Sequence, residues 1–129
     1  VDTIVRKAWE QGVILAGFSA GGICWFEQGL TDSVPGQLTA MACLGLLSGS
    51  SSPHYDGEIN RRPTYHILIG DGTLTDGWGI EDSVGLHFVG DHLQRIVASR
   101  PNKRAFRVAL QQQQVTETPH NAEWLYQPS

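Results

Sequence analysis

The sequence predicts a single α/β domain over residues 1–129, built around a parallel sheet. Residues 2–11 carry an apolar stripe at helical spacing, with Asp2 as the N-cap of the predicted helix. Residues 13–16 form an apolar run without polar alternation, which is typical of a strand covered on both faces. A helix that leads directly into such a strand indicates a β-α-β crossover, so we expect the first strand of this unit to precede residue 1.

Composition limits the classes of function. The chain has 129 residues, of which 40% are hydrophobic and 17% charged, so it can bury a core. Its net charge is −4 and its basic residues are scattered, which argues against nucleic acid as the main partner. No apolar run approaches the roughly 18 residues that a membrane helix needs, and residues 1–20 lack a signal-peptide pattern. We therefore expect a cytoplasmic protein with no membrane partner.

The two cysteines and five histidines do not indicate a metal centre. Cys24 and Cys43 both lie in apolar stretches and are expected to be buried free thiols rather than a disulfide. Neither cysteine has the spacing of a metal site, and the other histidines lack the paired spacing to carboxylates that a metal would need. The sequence predicts no metal and no cofactor.

A Gly-x-Ser-x-Gly motif follows the predicted strand and centres on Ser19. Glycines at 17, 21 and 22 suit a sharp strand-to-helix turn that lifts a nucleophilic serine above the sheet edge. Free backbone N–H groups at the start of the next helix, around Ala20 and Gly21, could stabilise an oxyanion. The other interpretation is a glycine-rich turn that binds phosphate or only packs tightly.

The middle of the chain is predicted as two helices and two loops. We expect a helix at residues 20–27, a polar loop at 29–33, and a small-residue loop at 48–55 that presents His54. Asp56 could cap a helix that runs to about residue 69, with a late start or a kink at Pro63.

The C-terminal third is predicted to contain strands. Residues 77–90 read as two short strands around the acidic pair Glu81 and Asp82. Residues 93–99 and 105–110 read as a hairpin joined by the turn at 100–103.

Three motifs together resemble one known family. They are A-G-F-S-A-G-G around Ser19, S-S-P-H-Y around His54 and G-I-E-D-S-V-G-L around Asp82. In this order and at similar spacing they resemble the peptidase S51 family, which includes peptidase E (aspartyl dipeptidase) and cyanophycinase. The resemblance covers about residues 3–110. It implies the C-terminal part of a flavodoxin-like sandwich similar to class I glutamine amidotransferases, with the N-terminal part of that fold missing from this chain.

The resemblance implies a serine peptidase that hydrolyses short peptides as a dipeptidase or exopeptidase. Ser19 would attack the peptide carbonyl and His54 would take its proton, while a carboxylate orients the imidazole. An ungapped match to the family places the acid at Asp82. Its neighbour Glu81 ranks second; in a strand these two side chains would point to opposite faces, so only one of them can reach His54. Asp32 ranks third, because peptidase E also carries an aspartate in the loop after its elbow helix.

This chain departs from the family pattern at two places. The arginine that is thought to bind the substrate's aspartate in peptidase E follows a G-E-T-R segment, whereas here Arg61 is displaced by one residue. Arg61 could be a substrate clamp or part of a solvated helix face. The family's second oxyanion donor comes from an N-terminal loop that lies outside this chain, so Ala20 and Gly21 would be the internal donors.

Two further functions remain open from the sequence. A non-catalytic, truncated relative would act in assembly or ligand binding. An α/β-hydrolase-type esterase fits less well, because its order is serine, acid and then a late histidine. In every case the edge of the strand at 13–16 would lack partners, so we expect a homo-oligomer or association with the missing N-terminal half.

Overall fold

The computed structural model describes residues 2–34 and 36–126, which form three helices and nine strands. The helices are α1 (Asp2–Glu10), α2 (Ala20–Ile23) and α3 (Arg61–Gly70). The strands are β1 (Phe26–Val34), β2 (Gln37–Ala42), β3 (Leu47–Ser52), β4 (Gly77–Ile80), β5 (Val84–Val89), β6 (His92–Ala98), β7 (Arg104–Gln111), β8 (Gln114–Asn121) and β9 (Glu123–Trp124).

The sheets are mixed rather than parallel. One sheet has the strand order β2-β1-β3-β4-β7-β8, and the other has the order β5-β6-β9. Only the central β1, β3 and β4 run parallel to one another in the larger sheet, while β2, β7 and β8 are antiparallel to their neighbours. The predicted α/β class is confirmed, and the wholly parallel sheet is wrong because short turns return the chain at both sheet edges. One of these turns places Gln112 and Gln113 at positive φ between β7 and β8.

The predicted strand at residues 13–16 does not form. Residues 13–18 have no regular secondary structure and belong to no sheet of the described residues. Ile14 is 91% exposed and Phe18 is 89% exposed. A strand needs a neighbouring backbone to pair with, and no described strand lies beside this segment.

The predicted helix at residues 20–27 ends early, and the predicted loop at 29–33 is a strand. Helix α2 stops at Ile23, and β1 then runs through both segments, with Phe26 and Leu30 buried. β1 pairs with β2 on one side and β3 on the other. Pairing with two strands that come later in the chain outweighs the local helical pattern.

The small-residue segment before His54 is also a strand rather than a loop. Ser50, Ser51 and Ser52 in β3 are buried between β1 and β4. The Ser50 hydroxyl lies 2.7 Å from the Tyr65 hydroxyl and 2.6 Å from the Thr75 carbonyl oxygen. Serine has low strand propensity, but here small side chains let the central strands pack closely.

The predicted hairpin at residues 93–110 is wrong in its pairing. β6 pairs with β5 and β9, whereas β7 pairs with β4 and β8, so the two strands lie in different sheets. β4 and β5 do flank Glu81 and Asp82, as predicted. α3 begins at Arg61 and not at Asp56, which is the late start that Pro63 indicated.

The core lies between α3 and the larger sheet. It contains Leu30, Tyr55, Tyr65, Ile69, Leu74, Phe106 and Val108. The ring of Tyr55 lies directly over Gly79 in β4, where a Cβ atom would come within 2.6 Å of the ring. The residue after His54 is therefore anchored in the core beside the strand that leads to Asp82.

Candidate active site

Ser19 occupies a strained turn between the irregular segment 13–18 and α2. Its φ of 53° and ψ of −122° are unusual for a residue with a side chain. The backbone of Gly17 packs so closely on Gly21 that a Cβ atom on Gly17 would lie 2.1 Å from the Gly21 carbonyl oxygen. The Ser19 hydroxyl makes no capping bond to α2, so it is free to turn toward His54.

His54 and Asp82 occupy equivalent places on adjacent parallel strands. His54 lies two residues beyond the end of β3, and Asp82 lies two residues beyond the end of β4. The register pairs Ser52 with Gly79, so both side chains leave the sheet at the same edge. The carboxyl ends of parallel strands are the usual place for ligand sites in α/β sheets.

The three side chains form one row of hydrogen-bonded groups. The Ser19 Oγ lies 2.8 Å from His54 Nε2, and His54 Nδ1 lies 2.8 Å from Asp82 Oδ1. His54 has a φ of 54°, so its backbone, like that of Ser19, is held in an uncommon conformation. Both the imidazole and the carboxylate are partly exposed. This row can pass a proton from the serine hydroxyl to the imidazole.

Of the three candidate acids, only Asp82 lies beside His54 among the described residues. The Glu81 carboxylate instead accepts a hydrogen bond of 2.6 Å from the Arg104 backbone N–H. Asp32 is 66% exposed, and its carboxylate lies 3.8 Å from the Arg61 guanidinium.

The two expected oxyanion donors differ in their availability. The Gly21 N–H donates to the Phe18 carbonyl at 3.0 Å, so the expected role of Gly21 does not fit this conformation. The Ala20 N–H has no acceptor among the described residues, because it starts α2. Ala20 is the donor within reach of the Ser19 turn.

The expected roles of Arg61 both disagree with its position. Its side chain is only 2% exposed, so it is neither a solvated helix face nor a clamp open to substrate. The guanidinium donates to the Leu30 carbonyl at 2.6 Å and to Glu58 Oε2 at 2.8 Å. Arg61 therefore stabilises the junction between β1 and the start of α3.

A groove of about 1050 Å³ opens beside Ser19 and His54. Its walls come from residues 12–19 and from the β4–β5 region, and they are mainly apolar, with Leu86 and Phe88 among them. No lysine or arginine lies among the described residues that line it. The groove can therefore hold a short apolar chain next to the serine.

Sequence reasoning missed a partly buried network around Glu117 on β8. Tyr55 donates to Glu117 Oε2 at 2.5 Å, His66 Nε2 lies 2.6 Å from the same oxygen, and Arg62 forms an ion pair with the carboxylate. Burial favours a higher pKa for Glu117, but these hydrogen bonds outweigh it, so the pKa lies below its ordinary value. Burial and Glu117 raise the pKa of the Tyr55 hydroxyl, which therefore stays a donor. Separations of 51 to 62 residues left no local signal for these contacts.

Cys24 and Cys43 are free thiols, as predicted, and are partly buried. Within residues 2–34 and 36–126, no group of three or more histidine, cysteine or acidic side chains is arranged to hold a metal ion. None of the described helices is long and apolar enough to cross a membrane.

A serine, a histidine and an aspartate in one hydrogen-bonded row define a class of site that hydrolases have reached on several unrelated folds. The model of peptidase family S51 matches residues 1–96, and the chain belongs to this family. It is also similar to the "Uncharacterized peptidase YgaJ" of Bacillus subtilis (strain 168), with 47% identity over 125 residues. That match covers 97% of this chain and 54% of the relative, so the chain spans about half of the relative's length.

Proposed function

We propose that this chain carries the catalytic triad of a serine peptidase, with Ser19 as nucleophile, His54 as general base and Asp82 as the orienting acid. The observation that carries the proposal is the pair of 2.8 Å contacts that joins the three side chains. Membership of peptidase family S51 supports the class of reaction.

The mechanism follows from the roles that this geometry allows. With the proton on Nδ1 directed at Asp82, Nε2 of His54 is free to accept the Ser19 proton as Oγ attacks the peptide carbonyl. The Asp82 carboxylate stabilises the imidazolium that forms. The Ala20 N–H donates to the developing oxyanion. His54 then protonates the leaving amine, and a water activated by the same imidazole hydrolyses the acyl-enzyme.

The strained turn at Ser19 supports the nucleophile assignment. Positive φ at a serine costs free energy, on the order of 1–3 kcal/mol, unless the surroundings enforce it. Gly17 permits this turn, because a Cβ atom at that position would collide with the Gly21 carbonyl. The result is a hydroxyl directed away from α2 and toward the imidazole.

The proposed substrates are short peptides, cleaved in the manner of a dipeptidase or exopeptidase. The similar Bacillus subtilis protein carries the name of a peptidase. Specificity for acidic side chains has no support from Arg61, whose guanidinium is buried under β1. The apolar groove beside Ser19 suits an uncharged side chain better.

We also propose that residues 13–18 pair with a partner, either a further part of the longer protein or a second copy of the chain. Val13, Ile14 and Phe18 are large apolar residues that this segment leaves exposed. Its backbone pairs with no strand in either sheet of the described residues, which leaves it available to pair with another chain segment. Sedimentation velocity over a concentration series tests this: a stable monomer with substantial peptidase activity would contradict it.

A fluorophosphonate probe tests the triad directly, because it labels an activated serine and not an inert one. We expect wild-type protein to be labelled and Ser19→Ala to lose both labelling and peptide hydrolysis. Ser48→Ala, on the exposed part of β3, is the matched control and should keep both. Absence of labelling in folded wild-type protein would favour the alternative of a non-catalytic relative that acts in assembly or ligand binding.

A further inference from the structure

One carboxylate joins the loop that carries His54 to the loop that carries Asp82. Asp56, two residues after His54, accepts a hydrogen bond of 2.8 Å from the Asp82 backbone N–H through Oδ1. The Tyr55 N–H adds a bond of 3.0 Å to the Ile80 carbonyl. The side chain of Asp56 therefore holds the backbone of the acid itself, whereas Tyr55 holds the preceding strand.

Lys103 holds Asp56 in turn. Its Nζ forms an ion pair with Asp56 Oδ2, so each oxygen of this carboxylate has a separate partner. The lysine side chain is mostly buried and the carboxylate is about one-third exposed. Lys103 directly precedes β7, whose first residue, Arg104, binds the Glu81 carboxylate through its N–H. The start of β7 therefore binds Glu81 directly and reaches Asp82 through Asp56.

The Lys103 ammonium neutralises the charge of the Asp56 carboxylate. Burial favours a higher pKa for Asp56, but the Lys103 ammonium and the Asp82 N–H outweigh it and hold the pKa below its ordinary value. Asp56 is therefore a carboxylate close to the Asp82 loop, and Lys103 offsets its negative charge. Without the lysine, a partly buried carboxylate would lack its cation and would be expected to turn toward solvent.

We propose that Asp56 and Lys103 are positioning residues that hold Asp82 against His54. This inference rests on the proposed function, because positioning matters for catalysis only if Asp82 acts on His54. It concerns two residues that touch neither the nucleophile nor the substrate groove.

Lys103→Met should lower kcat by about 10- to 100-fold and leave KM nearly unchanged, since a displacement of about 1 Å at a catalytic group can cost 100-fold. Lys103→Arg keeps the cation and should retain most of the activity. Asp56→Asn keeps an acceptor for the Asp82 N–H but loses the ion pair, so its kcat should fall between those of the two lysine variants. Lys7→Met, the same change at the other lysine of the chain, is the control and should behave as wild type.

A proton NMR measurement separates this inference from the proposed function. The His54 Nδ1 proton that faces Asp82 should give a far-downfield signal in wild type, Lys7→Met and Lys103→Arg, and the signal should weaken or vanish in Lys103→Met. The signal depends on position and not on turnover, so it reports even if peptide hydrolysis and probe labelling fail. An unchanged signal in Lys103→Met, or a kcat within twofold of wild type, would overturn the positioning role. If Lys103→Met does not fold, an Asp56→Asn variant with wild-type kcat and signal would overturn it equally.

Discussion

Replacing Gly57 with alanine should separate Asp82 from His54. A Cβ atom on Gly57 would lie 2.0 Å from Asp82 Oδ2, and Cβ atoms essentially never come within 3.0 Å of another heavy atom. The carboxylate must therefore move by about 1 Å or more. Because His54 and Gly57 share one loop, movement of that loop away from Asp82 would carry the imidazole with it.

The size of the effect follows from the His54–Asp82 contact. An Nδ1–Oδ1 distance of 2.8 Å that lengthens by about 1 Å is no longer a hydrogen bond. A misplacement of this size can cost on the order of 100-fold in rate, so we expect kcat to fall by about 100-fold or more. Labelling of Ser19 by a fluorophosphonate should slow in parallel, since it uses the same imidazole.

The assay is steady-state hydrolysis of a dipeptide, followed together with thermal unfolding. Gly70→Ala is the control, because its Cβ atom would meet only the end of the Val115 side chain at 3.2 Å, which can shift. A folded Gly57→Ala protein with wild-type kcat would refute the reasoning, because the acid would then act without its observed position.

Three further outcomes are expected. Asp82→Asn should reduce kcat by several powers of ten, whereas Glu81→Gln, which alters a contact to backbone, should change it little; the reverse result in a kinetic comparison would move the acid to Glu81. The pKa of Glu117 is lower in the folded protein than in the unfolded chain. The free energy that this carboxylate contributes to folding is therefore complete above its ordinary pKa of about 4.3, and it is lost as the pH falls through the pKa of the folded state. In urea unfolding between pH 7 and pH 3, the free energy of unfolding should therefore fall less steeply with decreasing pH for Glu117→Gln than for wild type. The same pH dependence in both proteins would contradict a stabilising role for the Glu117 carboxylate. Leu-Leu should be cleaved faster than Asp-Leu, because no lysine or arginine lies among the described residues that line the groove; a preference for Asp-Leu in a competition assay would show that a cation reaches the site.

Local sequence signals were enough where residues close in the chain decide the structure. The spacing of apolar residues, the glycines at the ends of elements and the turn residues predict three features correctly. These are the helix at residues 2–10, the end of α3 at Gly70, and the two strands on either side of Glu81 and Asp82. The misread segments are those whose partners lie far along the chain. β1 and β3 have helical or loop-like sequences and become strands because they pair with each other in the centre of the larger sheet.

The candidate site divides in the same way. The motifs around Ser19, His54 and Asp82 identify residue types with the chemistry of acyl transfer. The family resemblance assigns an expected role to each of them from the sequence alone. The availability of the Ala20 N–H and the burial of Arg61 depend on how helices and strands meet, so no local pattern reports them.

The sequence by itself determined the α/β class, the peptidase family and the identity of a serine and a histidine suited to catalysis, because composition, period and motif are local properties. The family resemblance ranked Asp82 before Glu81, and the tertiary structure brings Asp82 rather than Glu81 to the imidazole. It also brought Asp56 to the Asp82 backbone and Lys103 to Asp56. The last two contacts span 26 and 47 residues along the chain, so no local pattern of the sequence reports them.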